Sequence, residues 1–510
     1  MRDRLGSRPL KAAWIAALLA LPLSLPLALP PGAAAATEWR VASPYLLLDE
    51  TYVAEGPITV AQGGVLTVRN STILFNLAGE GSITLTVHAG GSLILEDAVL
   101  RSNVPGLHYN FLVSGHLEAR RADISGLRGD AGLGGLEIDG SEALIEDSQI
   151  HDNKYYGLFL RSGAPVVRRT AFDANVVAVS VLPGASPVLE DLVIRNSTGF
   201  GLKVADASPV VRNLTVLGSS NFAVGAVGSV LDIVGCRIAG GLIGLDAAQG
   251  TTGSVEGCEF LSLGTGVRAQ DSPVQVANST FFGSSAGVNA TRSAVELTGN
   301  QFTDNSVGIR VQDAGPGVLG GEAVGNAFVG TGLAIELHVS NFFLENNSYD
   351  ARMTGTRVFH EVALLIVDEG GAAVRGALVD ITAADAVAVF RGLTNETGVV
   401  VATLEEFREF GNGTRQNLTP HGVRIESRGI VTETALNATS DKVEKITLGG
   451  ARAQGPVGVT REALLLIGAA FALAAAAGAL GLRARKRRAE RIKAERAESA
   501  RGSRRPRRGR

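Results

Sequence analysis

His151-Asp152-Asn153-Lys154-Tyr155-Tyr156 puts an imidazole, a carboxylate, an ammonium and two phenol rings on six consecutive residues. Such a group can hold a sugar, with rings stacking on its apolar face and polar groups bonding its hydroxyls. The plainer reading is preferred: an exposed turn in which Asn153 sets the backbone and the other groups are solvated. His151, Asp152, Lys154, Tyr155 and Tyr156 are therefore contact candidates and not catalysts. Lys203, Asp246, Arg268 and Arg310 form a second set, recurring at one position of a repeated unit described below. Their order does not cluster acids around a cation, so Ca²⁺ binding has no motif behind it. Cross-coil ion pairing is the preferred role for this set. The only Met residues are Met1 and Met353, the seven His are scattered, and neither His-x-His nor Cys-x-x-Cys occurs. No soft-metal site and no cofactor is expected.

The positioning elements come from a repeat of about 22 residues. The run Ala143–Ile150 is echoed by runs starting at Pro165, Pro187 and Pro209, and more weakly at Val230, Ser254, Pro273 and Ala294. Within each copy apolar and polar residues alternate, which is the period of a strand. A second short strand follows a small residue, as in Gly157-Leu158-Phe159-Leu160 and Gly308-Ile309-Arg310-Val311. Its middle position gives an outward column of Phe159, Ser180, Lys203, Asp246, Arg268, Asn289, Arg310 and Glu336, mostly polar between two apolar columns, as a sheet with one wet face requires. Asn153, Asn175 and Asn305 fall between the strands, where Asn tolerates the left-handed backbone of a sharp turn. No copy can bury its apolar face alone, so the copies stack as a solenoid. Two or three short strands per turn are expected.

Ile150-x-x-Asn153 leading to Gly157-Leu158-x-Leu160, repeated as Phe302-x-x-Asn305 leading to Gly308-Ile309-x-Val311, resembles the right-handed parallel β-helix repeat. Pectin-lyase-like enzymes and NosD-like surface proteins share that repeat. The resemblance covers roughly residues 60–345, about eight or more coils, and it implies a fold more than a function, since this architecture hosts lyases, hydrolases, adhesins and scaffolds. Pectin-degrading hydrolases of the fold pair carboxylates across a glycosidic bond, using Asn-Thr-Asp, Asp-Asp, Gly-His-Gly and Arg-Ile-Lys motifs. Here no Asp-Asp pair occurs, Gly115-His116 lacks its second Gly, and Arg491-Ile492-Lys493 lies in the C-terminal tail. No catalytic residue is assigned. A copper-handling role, as the NosD resemblance would suggest, lacks the Met and Cys clusters that Cu(I) prefers.

Cys236 and Cys258 occupy the same position in adjacent coils. Coil stacking at about 4.8 Å brings their Cα atoms within disulfide range, and an oxidising compartment permits the bond. Side chains projecting in parallel make poor disulfide geometry, however, so two stacked buried thiols is the preferred reading.

The ends determine where this architecture sits. Arg2, Arg4, Arg8 and Lys11 precede an apolar run to Leu29 and a small-residue site at Ala33–Ala36, the layout of a secretory signal over 1–36. Ala463 to Leu482 is uncharged and long enough to cross a bilayer, and the basic stretch 483–510 places the tail in the cytoplasm. The formal net charge of −3 hides a split: the tail holds 14 Lys or Arg against 3 Glu, and residues 37–482 hold 29 basic against 46 acidic residues. An acidic exterior argues against nucleic acid as a partner, and the basic tail suits anionic lipid headgroups. Ten sequons lie in the exterior: Asn70, Asn196, Asn213, Asn278, Asn289, Asn346, Asn395, Asn412, Asn417 and Asn437. If glycosylated, they favour an archaeal or eukaryotic envelope.

After Asn347 the period disappears. Residues 360–449 read as about seven short strands with turns at Asp368–Gly371 and Asn395–Gly398. Val367-Asp368-x-Gly370, Gly376–Val379 and Leu393-Thr394-Asn395-Glu396-x-Gly398 resemble the carboxypeptidase-regulatory-like β-sandwich family, which implies a spacer or adhesive module. The expected order is then a signal at 1–36, a β-helix at 37–350 with an N-terminal cap at about 37–60, a β-sandwich at 360–449, a stalk at 450–462, a membrane helix at 463–482 and the tail. The fold class is all-β apart from that one helix. The expected role is a membrane-anchored surface scaffold, adhesin or glycan-recognition protein whose partners are surface glycans or envelope proteins. The alternative is a surface-tethered polysaccharide lyase or glycoside hydrolase.

Overall fold

A computed structural model describes residues 37–449, apart from 131, 141, 313–320, 339–341 and 352. The expected signal, stalk, membrane helix and tail lie outside the described residues. Among the described residues every element is a strand, so none forms a helix long and apolar enough to cross a membrane.

Residues 39 to 358 form a parallel β-solenoid of about 14 turns with three strands per turn. One coil is Val166–Arg168, Ala171–Asp173 and Val177–Val181. Each strand pairs in parallel with its counterpart one coil on, Val167 with Leu189, Phe172 with Ile194 and Val179 with Leu202. The three resulting columns are called here sheets one, two and three, in that order along each coil. Alternation sends Val167, Phe172 and Val179 into one continuous core, where all three are fully buried. In sheet two the inward positions of later coils carry Phe260, Phe281, Phe302, Phe328 and Tyr349. Their rings stack at 4.8, 4.8, 4.9 and 5.5 Å, so the coil spacing itself sets the aromatic contact.

The solenoid is longer than the repeat indicated. The segment expected as an N-terminal cap, 37–60, is the first coil, with strands Trp39–Val41, Pro44–Leu48 and Thr51–Ala54. Trp39, Tyr45 and Tyr52 stand in register with the inward residues Ile58, Leu66 and Ile73. Trp39 packs 5.3 Å from Tyr45 and 4.3 Å from Tyr52, so rings floor the core where a capping element was expected.

Sheet one turns into sheet two through a single residue with left-handed backbone in every coil. These corners include Asp97, Arg121, Asp147, Arg169, Asp191 and Asn213, all with φ between 48° and 53°. A second left-handed residue separates sheets two and three. There the turn-setting residue is not the Asn expected: Asp152, Ala174 and Asp304 carry the positive φ, and Asn153, Asn175 and Asn305 come one position later with their side chains buried. Backbone N–H groups at a corner leave the strand ladder and need another acceptor. The buried side chains supply it: Leu127 N–H donates to Asn153 Oδ1 at 2.8 Å and Ser284 N–H donates to Asn305 Oδ1 at 2.9 Å. The other corner repeats the device. Ser279 N–H donates to Asn300, Asn300 N–H to Asn326, and Asn326 N–H to Asn347, at 2.9, 2.9 and 3.0 Å.

Cys236 and Cys258 occupy this inward corner slot and are joined in a disulfide, with Cα atoms 4.4 Å apart. The reading as two free thiols is thereby corrected. Immediately after a left-handed Gly235 or Gly257 the chain bends, which brings adjacent coils to the short end of the Cα range a bridge accepts.

The same corner carries a charge pattern. Going up the stack, the last outward residue of sheet one and the corner residue read Arg69-Asn70, Glu96-Asp97, Arg120-Arg121, Glu146-Asp147, Arg168-Arg169, Glu190-Asp191 and Arg212-Asn213. Opposite charges therefore face each other at each step. Arg121 holds Asp97 through two bonds of 2.6 and 2.8 Å, and Arg169 meets Asp147 at 2.8 Å. Glu146, whose side chain is only 6% exposed, is surrounded by Arg120, Arg168 and Arg169.

At the far end, strand Thr354–Val367 runs out of the solenoid without a break. Its start pairs with Leu333–His338 in sheet three, and residues 362–367 pair with Lys442–Thr447. Val399–Phe410 pairs antiparallel along its whole length. Arg357 clamps Glu405 with bonds of 2.8 and 2.7 Å across that pairing. The interval between the two expected domains is thus a shared strand. A second core forms where Val362, Leu364 and Ile366 meet Val379, Ile381, Val423 and Ile425 of a separate four-stranded antiparallel sheet. The expected turns are present, with Gly371 N–H donating to Asp368 O and Gly398 N–H to Asn395 O.

The charge pattern repeats every two coils, so the parity of a deletion matters. Excising one coil, 165–186, stacks Glu146-Asp147 on Glu190-Asp191 and leaves a buried carboxylate with Arg120 on one side and another acid on the other, a cost of about 3 kcal/mol. Excising two, 165–208, stacks it on Arg212-Asn213 and restores attraction. The longer deletion is expected to be no less stable than the shorter one in denaturant unfolding; stability falling in proportion to residues removed would refute this.

Candidate functional site

The candidate residues sort into two places on the outer surface. The first is the turn at 151–156, at the corner between sheets two and three. His151 lies on the outer side of sheet two, with Nδ1 2.8 Å from Asp152 Oδ2 and Nε2 2.9 Å from Asp123 Oδ1 of the preceding coil. Burial opposes a charge on this ring, but the bonds to Asp152 and Asp123 outweigh it and raise its pKa. Lys154 Nζ reaches Glu80 Oε1 at 2.8 Å, and Glu80 also holds His108 Nδ1 at 3.1 Å. Burial works against ionisation of Glu80, yet Lys154 and His108 together lower its pKa. Glu80 and His108 were not legible as partners, because the bend at 76–82 has no counterpart in the repeat.

Tyr155 and Tyr156 leave this polar cluster. They pack with Phe159, Val176, Val177, Leu182 and Phe200 in a small apolar cluster outside sheet three. A short hairpin, Gly129–Asp130 with Leu133–Gly134, lies beside strand Tyr156–Leu160. The chain leaves it so close that a Cβ on Gly135 would stand 2.8 Å from that of Tyr156. Tyr156 and Phe159 are 3% and 2% exposed, so Phe159 points outward as read but is covered. Burial also raises the Tyr156 pKa. Of the expected contact group, Tyr155 is half-buried and Tyr156 is withdrawn from solvent.

The second place is the outer column of sheet three. Lys203, Asp246, Arg268, Asn289, Arg310 and Glu336 do share it, and the register adds Glu137 at one end and Arg357 at the other. Glu137 was findable, since it stands two residues after Gly135 as Phe159 stands after Gly157. The arginines of the column are matched by acids. Arg268 Nε sits 2.6 Å from Asp246 Oδ1, Arg310 bonds Glu336 at 2.8 Å, Arg161 bonds Glu137, and Arg357 bonds Glu405. Lys203 Nζ stands 5.9 Å from the Phe200 ring, which stacks on Phe222 at 4.8 Å. The His338 ring stacks on Phe359 at 4.5 Å and bonds Glu336 at 2.9 Å. The His338 bond, against the opposing effect of burial and with help from Arg310, holds the Glu336 pKa down to about 2.

This arrangement binds charge well and moves protons poorly. Asp246 and Glu336 are four coils apart, about 19 Å at the usual coil spacing, whereas acid and base across a glycosidic bond stand about 5–9.5 Å apart. An arginine acting as a base must lose its proton, yet the bond to Asp246 raises the Arg268 pKa despite burial. Among the described residues no group of three or more His, Cys, Asp or Glu is placed to hold a metal ion.

Half of the sequons fall on corners. Asn70, Asn196, Asn213, Asn278 and Asn346 are all left-handed corner residues, with φ between 47° and 53°. The corner favours Asn, the next residue turns inward, and the third begins sheet two or the next turn, where Ser or Thr fits. Coil geometry alone therefore generates Asn-x-Ser/Thr. Asn289 lies between Arg268 and Arg310 and is half-buried, whereas Asn395, Asn412, Asn417 and Asn437 are exposed in the C-terminal part.

The fold is a right-handed parallel β-helix: the family described as right handed beta helix region matches residues 242–370. The chain is also similar to solved structures. The periplasmic alginate epimerase AlgG shares 14% identity at a TM-score of 0.34, covering 59% of this chain and 78% of that one. The catalytic unit of the GH87 alpha-1,3-glucanase from Streptomyces thermodiastaticus shares 13% at 0.32, covering 59% and 63%. The pectate lyase Pel9A shares 14% at 0.25, covering 57% and 72%. At these scores nothing about activity follows for this chain. No curated protein matches it.

Two titrations check the geometry. A raised His151 pKa stabilises the fold below the ordinary His value near 6.5 and loses that contribution as pH rises through the folded value. His151→Gln is therefore expected to cost about 0.5–1 kcal/mol more at pH 5.5 than at pH 8.5 in denaturant unfolding. Glu336 has the opposite sign: its contribution is present above its unfolded pKa and is lost only as pH falls toward about 2. The penalty of Glu336→Gln should accordingly shrink as pH falls from about 4.5 toward 2, and a penalty that does not fall over that range would contradict the ion cluster.

Proposed function

We propose that this chain is a membrane-anchored cell-surface scaffold that presents a rigid β-helical face to surface glycans or envelope proteins. The observation that carries this reading is the outer column of sheet three. Arg268 and Arg310 are spent on acids of adjacent coils, and the carboxylates Asp246 and Glu336 stand too far apart for acid–base work on one bond. A face built in this way recognises shape and hydrogen-bonding groups and leaves bonds intact.

The anchoring rests on sequence: a secretory signal over 1–36, an apolar span over 463–482 and a basic tail that stays inside. Residues 37–462 are then extracellular, and nucleic acid is not a partner. The C-terminal part fits a β-sandwich of the carboxypeptidase-regulatory-like kind, serving as the spacer between solenoid and stalk. Its shared strand with the solenoid makes it a stiff joint, which suits a presenting role. Glycosylation at the exposed corner sequons would add to a cell-surface coat.

The test is incubation of the full-length protein with acidic and neutral polysaccharides, with and without Ca²⁺. Neither new reducing ends nor unsaturated-uronide absorbance is expected, while retention on at least one immobilised glycan or envelope fraction is. Turnover of any polysaccharide would replace the scaffold with a lyase or glycoside hydrolase.

A further inference from the structure

The two ends of the solenoid are finished differently. At the far end the chain closes its own core. Phe407 packs on it, residues 407–410 run along residues 354–358, and Gly411 N–H donates to Met353 O at 2.9 Å. At the first coil nothing comparable is present among the described residues. Trp39–Val41, Pro44–Leu48 and Thr51–Ala54 each pair with one strand only, in the second coil. The Asp49 N–H and the carbonyls of Glu50 and Ala54 bond to that coil, so by alternation the backbone groups of Leu46, Leu48, Thr51 and Val53 face the open side. Tyr45, Leu46, Leu48 and Val53 are 48%, 52%, 43% and 43% exposed.

A terminal repeat of a solenoid normally turns a polar face outward, and an edge strand is normally guarded by charge or proline. Here Pro44 is the one proline in the three strands, and it stands at the start of its strand. The edge is left as a template for another strand. The chain itself narrows what can fill it. Only Thr37 and Glu38 separate Ala36, where the expected signal ends, from strand Trp39–Val41. Once the signal is cut, no upstream segment remains to fold over the edge. Head-to-tail stacking meets the core already closed at the far end. The same end of a second copy is the complement that is left, and a two-fold pairing of like ends closes without running on into a filament.

We propose that two copies pair head to head through their first coils and so bridge two facing surfaces. The inference rests on the signal and anchor of the proposed function. A two-fold axis through the middle of Pro44–Leu48 lays that strand antiparallel on its copy, where Leu46 exchanges both backbone bonds with Leu46 of the second chain. The anchor follows the opposite end of the solenoid, so each copy contributes its 14 or so coils, about 65 Å, to the span between the surfaces. The rim sets the conditions for pairing. Glu38, Asp49, Glu50 and Glu55 stand against Arg40 alone, all of them exposed. Like ends therefore repel until salt screens them, and pairing tightens as ionic strength rises.

The experiment takes the full-length chain, in detergent for pairing and in phosphatidylcholine vesicles for bridging, beside the variant Leu46→Lys/Val53→Lys. In sedimentation the wild type is expected to dimerise, more tightly in high salt. The variant is expected to weaken the dimer about 100-fold, through like charge at the joint, with its thermal unfolding unchanged because both side chains are already exposed. Both proteins keep residues 450–510, so pairing through that segment cancels in the comparison. Vesicles carrying the wild type should cluster and those carrying the variant stay dispersed. Should the lysine variant fail to fold, Leu46→Cys serves instead: with the two native cysteines paired, a short bismaleimide should join two copies, while a Phe282→Cys control stays single. A monomeric wild type, a dimer indifferent to the lysines, or a Leu46→Cys chain that is not joined would each overturn the pairing. A dimer whose vesicles never cluster would overturn the bridging. Turnover of a polysaccharide would remove the scaffold reading and leave the pairing standing, so the two fail separately.

Discussion

Each coil of this protein must turn from sheet one into sheet two on one residue, and that residue must adopt a left-handed backbone. For an L-residue other than glycine this conformation costs roughly 1–2 kcal/mol, least for Asn and Asp. The cost recurs in every coil, and much of the structure follows from how it is met. A one-residue bend throws the next side chain inward while its amide leaves the ladder. In most coils the inward slot holds Ser, Thr, Asn or Cys, and in several its side chain caps the corner amide of the coil before. The disulfide occupies that slot because successive coils stack the same position at one spacing.

The corners at Arg121 and Arg169 show a second demand overriding the first. Arginine is a poor choice for left-handed backbone, yet here it faces Asp97 and Asp147. A stack of near-identical coils has no intrinsic address, since each could pair with the wrong neighbour at little loss of apolar burial. Alternating charge at the corner gives each coil a preferred neighbour and penalises a slip by one. Where the alternation ends, after Asn213, glycine enters the corners at Gly235, Gly257, Gly299 and Gly325. The two halves of the solenoid thus share one core and differ in their corners: charge alternates in the first and glycine recurs in the second.

The outer column of sheet three joins these halves. Its ion pairs run between adjacent coils, so each fixes the spacing of its strands while leaving the column close to neutral. The last of them, Arg357 with Glu405, crosses into the C-terminal part along the strand that both share. A load on the second core would therefore be carried directly by the solenoid.

The sequence by itself determined the repeat, the strand period, the inward and outward alternation and the shared position of Lys203, Asp246, Arg268 and Arg310, because all of these are local or periodic. It placed Asn153 at a turn but assigned the left-handed backbone to the wrong residue, since Asp152 and Asn153 suit that backbone almost equally and burial alone separates them. Tertiary structure decided what periodicity cannot carry. Glu80 reaches Lys154 from a loop outside the repeat, and Tyr156 and Phe200 pack over Phe159 against its outward direction. Trp39, Tyr45 and Tyr52 close a coil whose sequence is too irregular to align with the rest. Each of these depends on segments without period meeting in space, and such meetings follow from the packed solenoid and not from spacing along the chain.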